Sequence, residues 1–314
     1  MRPTPITPHP TFYPRPVIQV FVDVLVPVFI IVGVGFAVAR GVGIKPAALT
    51  TLAYWVIGPA FVFDILAGAD LDPSVVGKVV GSSIVTMIVA GLVAALVMRM
   101  MGRSFSELAA GVVTSTYGNV GNFGLAISAF AFGEAVLPIA GIVMVTVNTV
   151  GILAGVGLAT IRHHSAARSL LTAVFSPLAL AVIPALVVNV TDTQLPLWLD
   201  RPVSLLAAAL IPVMLLTLGV QIANMPRVLP RPVVAVPIAI KLVIAPIVAL
   251  GAVTLLSLEG TAAKVVILQA AMPAALFTSL IALKHDLEPD YVTSVVLIGT
   301  LVSVITLPVV LTLL

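Results

Sequence analysis

The sequence predicts an all-α membrane protein of ten transmembrane helices, arranged as two inverted five-helix repeats with helices four and nine broken at their centres. Three observations lead there. Of the residues, 61% are hydrophobic and 9% charged, and apolar runs of about 20 residues, enough to cross a bilayer as helix, recur along the chain. Ten such runs divide five and five about a short basic linker, and an odd number of spans per half turns the halves over relative to each other. Two runs at corresponding places are interrupted, one by Thr114-Ser115-Thr116-Tyr117-Gly118-Asn119-Val120-Gly121-Asn122 and one by Gln269-Ala270-Ala271-Met272-Pro273.

Prolines at 3, 5, 8, 10, 14 and 16 make residues 1–16 a disordered or polyproline-like tail. The first apolar run has full spanning length with no small-residue cleavage motif before it, so it reads as a retained helix. Loop breakers then delimit spans at 17–39, 47–67, 75–98, 107–131, 136–160, 171–190, 202–222, 232–256, 261–284 and 291–313. The first repeat is 17–160, the linker 161–170 and the second repeat 171–314. Shifting the chain by about 150–154 residues lays Pro27 over Pro177, Pro59 over Pro212 and Asn119 over Pro273.

Arg40, Lys45, Arg99, Arg103, Arg162, Arg168, Arg227, Arg231 and Lys284 fall on one side of this topology, and Arg2, Arg15, Lys78, Arg201 and Lys264 on the other. The positive-inside rule makes the first side cytoplasmic, which puts both termini outside and the protein in the cytoplasmic (inner) membrane as a multi-pass chain. The net charge of +3 is too small for a nucleic-acid partner.

The two interruptions carry the site expectations. Polar groups without partners in hydrocarbon cost several kcal/mol each, about 2–7 by transfer, so such backbone unwinds only against protein or a water-filled cavity. Pro273 removes a donor and is expected to free the carbonyl of Gln269. Paired broken helices in inverted halves point to a substrate site near the midplane, where half-helix N-termini attract anions and freed carbonyls hold cations. Asn119 and Asn122, with Gly118 and Gly121 exposing backbone, are read as substrate contacts, the alternative being polar packing between helices. Thr114, Ser115 and Thr116 fit that role or simple bonding to carbonyls a turn earlier. Asn148, a lone amide in span five, fits contact or packing equally. Gln269 gains from the neighbouring break, whereas Gln221 loses for want of depth.

Lys241 is the one cation well inside a span, and burying it there costs about 2.5–3.5 kcal/mol. It balances a substrate carboxylate, stands in for a coupling cation, or pairs with an acid. Asp23 and Asp64 fall toward the external ends of their spans, where an interfacial role is the simplest reading. Asp64 is the preferred group for ion coupling if protons drive the cycle.

Catalysis is disfavoured. The histidines are 9, 163, 164 and 285, all in tail or loops, and there is no cysteine, so no dyad or two-His metal motif forms at depth. Neither a metal nor a cofactor is expected. Gly118-x-x-Gly121-x-x-Gly124 lacks the strand-turn-helix setting of a nucleotide fingerprint.

These residues resemble the auxin efflux carrier family of PIN-like transporters. The likeness covers about residues 20–314 and rests on Val26-Pro27-Val28-Phe29 with Gly33-Val34-Gly35-Phe36, on Gly118-Asn119-Val120-Gly121-Asn122-Phe123-Gly124-Leu125, on Met214-Leu215-Leu216-Thr217-Leu218-Gly219-Val220-Gln221, and on Ala271-Met272-Pro273-Ala274. The short linker is that of compact bacterial members. Where relatives carry proline after Gly-Leu, this chain has Ala126. The resemblance implies that helices four and nine cross at their unwound centres and that a transport bundle moves against a scaffold of helices one, two, six and seven. It implies a secondary carrier for a small organic anion, with malonate or malate favoured over indoles because the resemblance is to compact bacterial members and aromatic side chains near the site look few. The alternatives are a sodium-coupled symporter of bile-acid type, a channel, or a non-transporting sensor. Gly33 and Gly35, or Gly155 and Gly157, suit a homodimer contact or packing within the bundle.

Overall fold

The structure is a computed structural model that describes residues 16–70, 72–160, 175–225 and 231–314. Residues 1–15 of the proline-rich tail and the linker lie outside the described residues, and with them Arg2, His9, Arg15, Arg162, His163, His164, Arg168 and Arg227. The described chain is helical apart from one isolated antiparallel bridge, Gly118 to Ala274. In order come α1 (Val17–Val42), α2 (Pro46–Ala67), α3 (Pro73–Met100), α4 (Phe105–Thr116), α5 (Val120–Phe132) and α6 (Leu137–Thr160). Then follow α7 (Pro177–Val190), α8 (Leu197–Ala223), α9 (Pro232–Leu255), α10 (Gly260–Ala270), α11 (Leu276–His285) and α12 (Pro289–Leu313).

Among the described residues seven helices are long and apolar enough to cross a membrane: α1, α2, α3, α6, α8, α9 and α12. Helices α5, α7 and α10 are apolar but shorter. Only 28–56% of each long span is buried inside the protein, so the rest of each apolar surface, Trp55, Leu92 and Leu301 for instance, needs lipid to cover it.

Expected spans four and nine are each a pair of helices, α4 with α5 and α10 with α11. The first break is narrower than the polar stretch suggests: α4 continues through Thr116, and non-helical backbone is confined to 117–119. The threonines explain this. Thr114 and Thr116 donate their hydroxyls to the carbonyls of Ala110 and Val112, at 2.8 and 2.9 Å, and so are satisfied within the helix. Pro27 and Pro177 are not at equivalent places, because Pro27 lies in the middle of α1 and Pro177 is the first residue of α7. There a missing N–H costs nothing.

Prolines also set the local shape of the long helices. A π-turn precedes Pro27, Pro59 and Pro246: Val26 donates to Phe21, Gly58 to Ala53 and Ala245 to Ile240, five residues back. Proline cannot donate to the carbonyl four residues earlier and its ring crowds that oxygen, so a widened turn accommodates it. A fourth π-turn, Val120–Gly124, opens α5 with Ala126 in place of the proline. Glycine and asparagine in that turn hold the same geometry unaided.

Helices α1, α2, α7 and α8 form one packed group, α1 against α8 and α2 against both α7 and α8. Helices α1 and α8 meet backbone to backbone: a methyl on Gly35 would collide with the Leu216 carbonyl, and one on Gly219 with the Val32 carbonyl. Asn189 of α7 donates to the carbonyls of Leu66, Ala67 and Ala69 at 2.9, 3.2 and 2.7 Å, closing the C-terminal end of α2. Around this group stand α3 to α6 and α9 to α12, with α3 packed on α4, α6 and α9, and α9 on α10.

Candidate functional site

The two breaks meet. Asn119 N–H donates to the Pro273 carbonyl at 2.7 Å and Ala275 N–H to the Tyr117 carbonyl at 2.8 Å, so three unwound residues of one segment lie antiparallel to those of the other. This crossover sorts the helix ends by polarity. The first turns of α5 and α11 line a cleft on one side, and the last turns of α4 and α10 line a smaller cavity on the other.

The cleft encloses about 770 Å³, counting its open mouth. Gly118, Asn119, Gly121 and Asn122 form its wall from the α4–α5 segment, and Ala275, Leu276 and Phe277 its wall from the α10–α11 segment. First-turn N–H groups have no acceptor within their own helix, so both walls offer backbone donors at the positive ends of helix dipoles. Asn119 is only 5% exposed, and its Nδ2 has no hydrogen-bond partner among the described residues. Asn148 of α6 also lines the cleft, but its amide is committed: Nδ2 donates to the Met144 carbonyl at 2.8 Å, and Oδ1 accepts the Tyr117 hydroxyl.

Aromatic rings are more prominent here than the sequence suggested, which weakens one of the two grounds for preferring dicarboxylates over aromatic acids. Tyr54 of α2 stacks on Phe277 at 6.3 Å between centroids, Tyr117 tilts against the same ring at 6.1 Å, and all three line the cleft. They come from three distant stretches of chain, and no local pattern announces their meeting. Thr217 and Gln221 of α8 line it too, each with a buried oxygen lacking a partner among the described residues. Gln221 Nε2 donates to Thr50 Oγ1 at 3.1 Å. Gln221 thus lines the cleft although it lies near the end of α8, because the cleft opens toward that end. It continues through Thr50, Gln221, Leu276 and Leu280 into a vestibule of about 1330 Å³, counting its mouth, bounded by Pro46, Asn224, Leu283 and Pro289.

Gln269 and Lys241 are not in the cleft. They line the second cavity, about 350 Å³ counting its mouth, with Ser83, Thr86, Ser115, Thr116 and Ala270. Lys241 lies in the π-turn of α9, is 5% exposed, and donates from Nζ to the Ala270 carbonyl at 2.7 Å. It makes no ion pair among the described residues. The carbonyl expected to be free at Gln269 is not so: Met272 N–H reaches it at 3.3 Å, because the chain tightens to a three-residue turn before Pro273. The carbonyl left for a side chain is the next one, at Ala270. Gln269 Nε2 instead reaches Ser128 Oγ at 3.3 Å, and its Oε1 has no partner among the described residues.

Pro273 contributes its carbonyl to the crossover and lines neither cavity. Asp64 lines neither as well. It accepts the Ser204 hydroxyl of α8 at 2.7 Å, inside the packed group of α1, α2, α7 and α8. Asp23 is exposed on α1. Among the described residues no cluster of three metal-ligating side chains forms, so the chemistry offered is that of amides, hydroxyls, rings and one ammonium.

Comparison with known proteins bears on the same half of the chain that holds Lys241 and the second break. The membrane transport protein family matches residues 161–311. An uncharacterized transporter of Methanothermobacter thermautotrophicus is 33% identical over 69 residues, a stretch that spans 22% of this chain and 23% of that relative. Apolar helices and this match agree on an integral multi-pass membrane protein, and residues 161–311, just under half of the chain, are similar to the membrane transport protein family.

Proposed function

We propose that the chain is a secondary carrier for a small organic anion, working by alternating access, with the carboxylate held in the cleft beside the crossover. The observation that carries this reading is the buried Asn119 Nδ2, a donor without a partner among the described residues, set between the first turns of two half-helices. An unmet donor at that depth is costly, about 1–3 kcal/mol, and a carboxylate oxygen satisfies it. Asn122 and the first-turn amides add donors, and Tyr54, Tyr117 and Phe277 offer faces to the organic body. Malonate and malate stay in the candidate set, joined by aromatic carboxylates.

Ten spans in two inverted halves fit the packing. Helix α1 meets α8, and α2 meets α7, a pattern that maps onto itself when span one exchanges with six and two with seven. On that topology the vestibule opens on the face bearing Lys45 and Lys284, which the positive-inside rule makes cytoplasmic. The packed group is then the scaffold, and the helices around the crossover the moving body.

Uptake of labelled malonate, malate and phenylacetate into proteoliposomes tests the proposal. Saturable uptake of at least one acid is expected, with affinity falling about 10–100-fold in Asn119→Ala, the worth of a charge-assisted hydrogen bond. Equal flux from folded, inserted Asn119→Ala would move the site elsewhere.

A further inference from the structure

We infer that Lys241 is a tethered cation, occupying the place at the crossover where a carrier of this design would otherwise bind a sodium ion. The inference rests on the carrier reading above for its role in a cycle, but not for its chemistry. Half-helices α4 and α10 both end at the crossover, and helix C-termini present carbonyl oxygens and the negative end of the dipole. Two such ends brought together beside an unwound segment make a site for a small cation. Here the charge is covalent. Nζ of Lys241 lies 2.7 Å from the Ala270 carbonyl, in a cavity whose wall includes Ser115, Thr116 and Gln269, and Ser115 Oγ and Gln269 Oε1 are buried without partners among the described residues.

The other segment is shaped to admit this ammonium. A methyl group on Gly118 would lie 2.9 Å from Cε of Lys241, closer than real Cβ atoms approach their neighbours, and 3.0 Å from its Nζ, so the lysine end would have to shift. The absence of a side chain at Gly118 thus leaves the space that the end of the lysine fills, and on α9 the π-turn Ile240–Ile244 contains the residue that carries it. A substrate-binding lysine would be expected to open into the cleft. This one instead lines the cavity of the carbonyl ends, separated from the aromatic cleft by the crossover.

The consequence is a carrier that needs no sodium, and whose sodium site reappears when the lysine is removed. The test compares thermal unfolding of purified wild type and Lys241→Met in NaCl and in choline chloride at equal ionic strength. Lys241→Met is expected to unfold a few degrees higher in NaCl, as a protein does when an ion binds only its folded form, and wild type at the same temperature in both salts. Lys241→Arg, which keeps the charge, is expected to behave as wild type. Absence of a sodium effect in folded Lys241→Met overturns the inference, and so does sodium stabilisation of the wild type. Should Lys241→Met not fold, uptake by the wild type decides: flux unchanged when choline replaces sodium upholds the inference, and flux that needs sodium overturns it. Because unfolding is read without substrate, failure of the anion-carrier proposal leaves this result interpretable.

Discussion

The two sides of the crossover are built from the opposite ends of two pairs of half-helices, and they offer opposite chemistry. On the cleft side α5 and α11 begin, and the groups these segments leave over are N–H donors and the Asn119 amide, beside aromatic faces and the Thr217 and Gln221 oxygens of α8. On the other side α4 and α10 end, and the groups left over are oxygens, met by Lys241. Direction of chain alone makes this difference, since a helix has orphan donors at one end and orphan acceptors at the other. Breaking two antiparallel segments at one level therefore sets backbone donors and backbone acceptors back to back, chemistry suited to an anion on one side and a cation on the other. A ligand on one side and a charge on the other stabilise the same pair of breaks, which is a physical route to coupling between them.

The largest effect is expected from reversing the chemistry of the cleft. Asn119→Asp removes a donor and sets a carboxylate against the substrate's own, so loss beyond the 10–100-fold expected for Asn119→Ala should follow, because like charges at close quarters cost several kcal/mol. The measurement is concentration-dependent uptake at neutral pH for both variants. Equal loss in the two would mean that charge at this position is not felt by the substrate, and would separate the anion from the cleft.

A second contrast lies between the crossover and the scaffold. Gly219→Ala drives a methyl into the Val32 carbonyl and the Phe36 backbone nitrogen, so α1 and α8 have to part. Overpacking of this kind costs about 1–3 kcal/mol. Thermal unfolding of Gly219→Ala should drop by several degrees in NaCl and in choline chloride alike, with substrate affinity retained in the folded fraction. A sodium-dependent drop would tie the scaffold contact to the cavity of Lys241 and break the division between the two regions.

How far these features were legible in the sequence depends on how local they are. The apolar runs, the two interruptions and the buried lysine are written in contiguous residues, because a bilayer punishes each polar group one at a time. Asn119, Asn122, Gly118 and Gly121, which line the cleft, were singled out that way. The partition of site residues between two cavities was not, since it follows from which helix end each residue terminates, and that requires knowing that the segments cross antiparallel. Gln269 and Lys241 fell on the far side for this reason. Tyr54, Thr217, Gln221 and Phe277 come from three other helices and carry no spacing signal. Tyr117 lay inside the polar stretch, but that its ring meets Phe277 shows only in the fold. The Ala270 carbonyl is a backbone group, and only the tightened turn before Pro273 identifies it.

The aromatic cleft wall sharpens the substrate side of the comparison. Aromatic pairs contribute about 0.5–1.5 kcal/mol beyond burial, so Tyr54→Leu or Phe277→Leu should weaken an aromatic carboxylate by about 3–10-fold and leave malonate within about twofold. Competition of each acid against uptake of the other reads the ratio directly. A parallel fall for both would show that these rings shape the cleft without touching the substrate body.

The smallest effect is expected at Asp64. Its carboxylate accepts the Ser204 hydroxyl at 2.7 Å, joining α2 to α8 within the scaffold. Asparagine keeps an acceptor oxygen there, so Asp64→Asn exchanges a charge-assisted hydrogen bond for a neutral one and should cost about 1 kcal/mol or less. If ions are handled where helix ends meet, a carboxylate in the static contact has no part in them, and flux driven by an imposed proton gradient should stay within about threefold of wild type. Loss of proton-driven flux with exchange down the substrate gradient intact would say the reverse: the proton would be taken up between α2 and α8, and the scaffold, not the crossover, would then be the element that changes state with the ion.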